Sequence, residues 1–244
     1  APLAVGSETS GSILSPSSQN SLVGLKPTIG LLSRTGIIPI SSTLDTPGPI
    51  TKTVMDNAIL LSAMAGRDTS DTKVYADSIK VTTDYYSALT DTTSLRGVRL
   101  GVIKELTQDS LYSRAINELK KIGAQIVEFE AEDIKLANFL RLLNLDMKKD
   151  LPTYLERYGK RVDVRSVEDI MTFNMEDSVQ RAPYGQGLFE GIVKDNATAK
   201  EFQAIKDTLK IRGKRFFDIP MKEHYLDGIL SINNYHAGFA AVAE

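Results

Sequence analysis

The sequence predicts an α/β fold with a mainly parallel or mixed sheet, on three observations. Residues 96–130 read as strand, helix and strand ("RGVRLGVI", "SLYSRAINELKKIGA", "QIVEFE"), a βαβ-like unit. Residues 1–66 hold short apolar runs punctuated by glycine and proline ("SLVGLKPTIGLL", "GIIPIS"), which favours strands and turns over long helices. Residues 132–158 and 197–217 carry long helical patterns rich in Lys and Glu.

Taken in order, the elements have local causes. The first 66 residues contain only Glu8, Lys26, Arg34, Asp45, Lys52 and Asp56 as charged side chains. Charges are rarely buried unpaired, so a segment this poor in them is expected to be buried on most sides. In "TVMDNAILLSAMAG" (53–66) the period changes: Val54, Ala58, Leu61 and Ala65 recur at helical spacing, Thr53 can cap the start and Gly66 can end it. Residues 67–95, rich in Asp, Thr, Ser and Tyr, read as a surface connection with a short helix at "DYYSAL". The helix at 110–124 should stop at Gly123. A further strand is expected within "DGILSINN" (227–234).

Composition removes several function classes. A formal charge of −2 gives no electrostatic case for nucleic acid or an anionic membrane. No apolar run is long enough to span a bilayer and nothing reads as a signal peptide, so a cytoplasmic location is the expectation. Cysteine is absent, which excludes disulfides, a thiol nucleophile and thiolate metal sites. His224 and His236 are the two imidazoles and neither belongs to a short cluster with metal-ligand spacing, so no built-in zinc site is expected.

The stretch "VGSETSGSILSP" (5–16) concentrates the chemistry. Gly6 and Gly11 have phosphate-loop spacing, but Ser12 stands where such a loop needs Lys. Pro16 follows too soon for the helix that should open there, and Glu8 would repel an anion. A G-x-S-x-G nucleophile elbow is absent. Two readings stay open. Hydroxyl-rich turns commonly serve only to bond local backbone. Alternatively, a tight turn through Thr9, Ser10 and Gly11 could aim successive N–H groups at an oxyanion and present Ser12 as a nucleophile, with Gly11 supplying a backbone angle that a β-carbon forbids.

A longer pattern bears on that choice. Residues 6–66, with "GSETSGSI", "GLKPT", "GIIP" and "DTPGP" in order, closely resemble the second half of the amidase signature, and "NMEDSVQRAPYGQGLFE" (174–190) resembles a downstream segment of the same family. The resemblance implies an α/β/α fold with a mixed central sheet, incomplete in this chain, and amide hydrolysis by a Ser–Ser–Lys triad. It places Ser12 at the acylated nucleophile and the backbone of Thr9, Ser10 and Gly11 at the oxyanion hole. Ser10 replaces the usual second glycine of the pair, which is tolerable if its backbone angles are ordinary. Leu14 replaces an Arg frequent in the tRNA-amidotransferase branch, which favours stand-alone, peptide-amidase-like members.

On the same resemblance the chain reads as one partial domain, 1–244: a signature core (1–66), the connection (67–95), and a βαβ-like and helical part (96–244). The family's lysine and bridging serine lie upstream of residue 6, and "NNYHAGFAAVAE" reads as the approach to another strand, so the chain looks like a fragment cut at both ends. It is therefore expected to be inactive alone and to self-associate through exposed core. The implied substrate is a small-molecule or peptide amide, and the resemblance implies no metal or organic cofactor. The alternatives are a non-catalytic binding protein on the same fold and an amidotransferase A-type subunit. Lys194 in "GIVKDNA" mimics the context of the family's catalytic lysine but follows the nucleophile, so it is expected to be a surface residue. Lys26 is expected to be structural, paired with a backbone carbonyl, Asp45 to bond a turn, and the two histidines to lie outside the chemistry.

Overall fold

A computed structural model describes residues 2–71, 84–89 and 94–243. It has mixed α/β architecture, with its strands divided between two three-stranded sheets among the described residues. The first is antiparallel: β1 (Leu3–Glu8) and β2 (Val23–Gly24) flank β3 (Thr46–Thr51). The second is parallel: β4 (Arg99–Ile103) lies between β5 (Gln125–Phe129) and β6 (Gly228–Leu230).

The parallel sheet follows the βαβ logic of the sequence. Helix α3 (Ser110–Lys121) is capped by Asp109, which accepts from the N–H groups of Leu111 and Tyr112, and is ended by Gly123 at φ +103°. Successive β4 side chains point to opposite faces. Val102 packs on Tyr112 and Ile116 of α3. Ile103 packs with Phe129, Leu226 and Phe216, the last from α8 (Ala199–Glu223) on the other face. A capping box of Thr198 and Glu201 starts α8, which runs past the expected end at 217 and carries Pro220 in its last turn.

Elsewhere the sequence reading needs correction. Of "SLVGLKPTIGLL" only Val23–Gly24 is strand, and Ile37–Ile40 of "GIIPIS" is irregular. The N–H groups of Ile40 and Ser41 are satisfied by the Asp45 carboxylate instead of a neighbouring strand. Nor is the charge-poor segment uniformly buried: Leu3, Val5, Ile38 and Ile59 are exposed, whereas Glu8 and Asp45 are buried. Between these strands lies α1 (Leu14–Gln19). Helix α2 (Val54–Met64) is capped by Thr53 as expected, but it buries Asn57 and Leu61 and exposes Val54. Asn57 turns inward because its amide donates to the carbonyls of Val23 and Pro49, tying α2 to the antiparallel sheet.

Much of the expected 67–95 connection lies outside the described residues; within it, Ser87–Leu89 forms a single 3₁₀ turn. Helix α4 (Phe139–Tyr158) packs against α5 (Val167–Met175) and α7 (Gly187–Lys194), with the one-turn α6 (Ser178–Arg181) between those two in the chain. The last of the described elements is helix α9 (Ala237–Ala243). Its Ala241 and Val242 are buried against Leu44, Leu142, Ile205 and Leu209, a core that joins the N-terminal part to α4 and α8. An alanine-rich run suits this close packing of helix on helix.

Candidate active site

The loop 9–12 connects β1 to α1 and is fixed from both ends. On one side Glu8, 1% exposed, accepts the N–H groups of Ile13 and Leu14 at 2.7 and 2.9 Å through Oε2. On the other, buried Thr9 donates its hydroxyl to Asp45 Oδ1 at 2.6 Å, while Asp45 Oδ2 accepts from the N–H groups of Ile40 and Ser41, each at 2.8 Å. Asp45 is thus the turn-bonding carboxylate the sequence suggested, and it also ties that turn to the loop.

Gly11 is buried with φ +130°, a conformation that side-chain-bearing residues rarely adopt. Ser10 is absent from the residues with positive φ, so its backbone tolerates a side chain. Ser12 is exposed at the end of the turn. Among the described residues no acceptor engages the backbone N–H of Ser10, Gly11 or Ser12, and no hydrogen bond joins the Ser12 hydroxyl to a base. The arrangement supplies a presented hydroxyl beside unengaged N–H donors, which is half of what acyl transfer requires.

Pro16 does not prevent a helix after the loop, contrary to the expectation from its position. A helix does open directly after the loop, and Pro16 is accommodated in its first turn, where a missing N–H costs little. The Glu8 carboxylate already occupies the helix N–H groups that an anion would need.

Lys26 donates to the Leu44 carbonyl at 3.4 Å. Burial pushes its amine below the ordinary lysine range, against the opposing pull of Glu8 and Asp45. Lys194 is exposed at the end of α7 and pairs with Glu190 at 3.4 Å. Neither histidine reaches the Ser12 hydroxyl with a hydrogen bond among the described residues. His224 lies against Phe129, with ring centroids 6.2 Å apart, and His236 Nδ1 is 2.6 Å from Ser231 Oγ. Among the described residues no group of three His, Cys, Asp or Glu side chains is placed to hold a metal ion.

Three features were not anticipated. Asp146 and Asp150 of α4 reach back to the turn that carries Asp45: Ser41 Oγ donates to Asp146 at 2.5 Å and Ser42 N–H to Asp150 at 2.7 Å. Burial raises the Asp150 carboxyl above its ordinary range. Their i, i+4 spacing on a helix was the available signal, but their partners lie about a hundred residues away in sequence. A cleft of about 350 Å³ opens beside them, lined by Arg34, Ser42, Asp45, Asp150, Tyr154 and Arg157 among others, and Ser12 is not part of it. Third, Asn234 packs its side chain against Gly11.

Comparison with known proteins adds to this geometry. The amidase family profile matches residues 1–215. A probable amidase of Arabidopsis thaliana is 31% identical over 242 residues, covering 95% of this chain and 46% of that protein. The A-type subunit of glutamyl-tRNA(Gln) amidotransferase from Rhodococcus erythropolis is 37% identical over 175 residues, covering 67% of this chain and 35% of its own length. The crystal structure of peptide amidase from Stenotrophomonas maltophilia superposes with a TM-score of 0.88 at 32% identity, over 100% of this chain and 54% of the other. The chain therefore spans between about a third and a half of the length of these relatives.

Proposed function

The chain belongs to the amidase family, and from that premise we propose that it carries the nucleophile of an amide hydrolase. The observation that supports this most is the loop itself: Ser12 is exposed at the end of a turn whose glycine has φ +130°, beside N–H groups without an acceptor among the described residues. In the proposed reaction Ser12 Oγ attacks the carbonyl carbon of a carboxamide, and its proton passes to a base. The tetrahedral oxyanion is held by backbone N–H groups of residues 9–11. The C–N bond then breaks, the nitrogen leaves with a proton as ammonia or an amine, and water hydrolyses the resulting ester to release the acid.

A serine hydroxyl needs a base at neutral pH. The family's triad is Ser–Ser–Lys, and the two lysines with a family-like context here have other duties: Lys26 bonds the Leu44 carbonyl and Lys194 pairs with Glu190. We therefore expect residues 1–244 alone to hydrolyse amides at most feebly, and a chain of the length of its relatives to do so readily. Both proteins, assayed for ammonia release from small amides and peptide amides, test this. Measurable turnover by the 244-residue span that Ser12→Ala abolishes would overturn the expected inactivity. Full activity of a Ser12→Ala long chain would overturn the nucleophile assignment.

The matches to A-type subunits of amidotransferases support a second reading, in which the protein produces ammonia inside a complex. Co-purification with partner proteins and glutamine-dependent activity would favour it. A cytoplasmic setting belongs to the same proposal, and cell fractionation tests it. Leu3 and Val5 are exposed on the edge strand β1, so the isolated span should also self-associate, which sedimentation would reveal.

A further inference from the structure

The turn between β6 and α9 stands against the nucleophile loop and has no part in the reaction described above. Asn233 adopts φ 49°, a left-handed conformation that asparagine tolerates better than most residues. Tyr235 N–H bonds the Ile232 carbonyl at 3.1 Å, and Ser231 Oγ meets His236 Nδ1 at 2.6 Å, closing the turn across its ends. The imidazole in turn stacks on Phe216 of α8 at 5.0 Å. The turn is therefore held by side-chain contacts to the sheet-covering helix, and what it presents is Asn234.

The Asn234 side chain lies directly over Gly11: a β-carbon on that glycine would come within 2.4 Å of Nδ2 and 3.2 Å of Cγ. Asn234 is half-buried, and among the described residues its side-chain amide has no hydrogen-bond partner. Here the neighbouring N–H groups of Ser10, Gly11 and Ser12 also lack acceptors among the described residues. The Asn234 amide thus lies over Gly11, within the loop that carries those N–H groups and the exposed Ser12. The carbonyl oxygen of an acyl group is an acceptor for such donors.

We propose that Asn234 is a substrate-contacting residue whose Nδ2 donates a hydrogen bond to the acyl group attacked by Ser12. This rests on Ser12 being the nucleophile, and it adds a donor from a segment more than two hundred residues later in the chain. The competing role is space-filling, in which Asn234 merely occupies the volume above Gly11.

Two variants in a chain of the length of its relatives separate these roles. Asn234→Asp keeps the shape and replaces the donor with an acceptor; Asn234→Ala removes both. With a small primary amide as probe, both variants should lose about 100-fold in kcat/KM, as for other single oxyanion donors, with the loss chiefly in kcat. Reaction of Ser12 with a fluorophosphonate should slow in parallel, and the melting temperature should stay within a few degrees of the parent. Loss in Asn234→Ala alone, or losses matched by a fall in melting temperature in both variants, would overturn the contact in favour of space-filling. Both variants within about twofold of the parent, with Ser12→Ala inactive, would overturn it while leaving the nucleophile assignment standing. An active Ser12→Ala would instead overturn the reading on which it rests.

Discussion

Replacing Glu8 tests how the loop is held. Its carboxylate is 1% exposed and accepts two backbone N–H groups, one from fully buried Ile13. Hydrogen bonds to a charged acceptor are worth about 1.5–3 kcal/mol each, so Glu8→Ala should destabilise the fold by about 3–6 kcal/mol. Set against the usual ~5–15 kcal/mol of a domain, that is a large fraction. Glu8→Gln keeps one carbonyl oxygen in place, with bonds of ordinary strength, and should cost about 1–3 kcal/mol. Lys26 gives the change a second readout. Glu8 is one of two carboxylates that favour its buried charge, so neutralising Glu8 should push the amine further down. Urea unfolding measures the effect as a lower midpoint at unchanged slope, in the order Ala, Gln, parent. A Glu8→Ala protein within about 1 kcal/mol of the parent would refute the reasoning, because the two N–H groups would then have other means of satisfaction.

Gly11→Ala should strain the loop by about 1–3 kcal/mol through its backbone angle. Its clash with Asn234 is relieved in the double variant with Asn234→Ala, whereas the strain is not; a double-mutant cycle by denaturation reads the difference. Burial holds the His236 imidazole below its ordinary 6.5, so the unfolded chain protonates first as pH falls. This residue's part of the stability should therefore decline as pH drops through about 6.5 and level off once the folded form also protonates. Denaturation between about pH 8 and pH 5 checks the slope, which His236→Asn should reduce.

The parts of the fold written locally were legible. Thr53 and Gly123 bounded helices because caps act within a few residues, and the βαβ unit followed from the change of period between strands and helix. Residues 36–40 misled because an apolar run says nothing about which acceptor takes its N–H groups; Asp45 took the N–H groups of Ile40 and its neighbour Ser41. At the site, the turn through Gly11 could be read from its residues. Its neighbours could not: Asn234 is brought to Gly11, and Asp146 to Ser41, by packing between distant segments. The role proposed for Ser12 rests on the family pattern rather than on any partner that its hydroxyl contacts.

If Ser12 is the acylated residue, a fluorophosphonate will label it. Mass spectrometry of tryptic peptides, after brief treatment of an active, full-length chain with that reagent, locates the adduct. A single adduct on Ser12, forming in step with loss of amide hydrolysis, is the predicted result. An adduct on another serine such as Ser231, or complete inactivation with Ser12 unmodified, would contradict it.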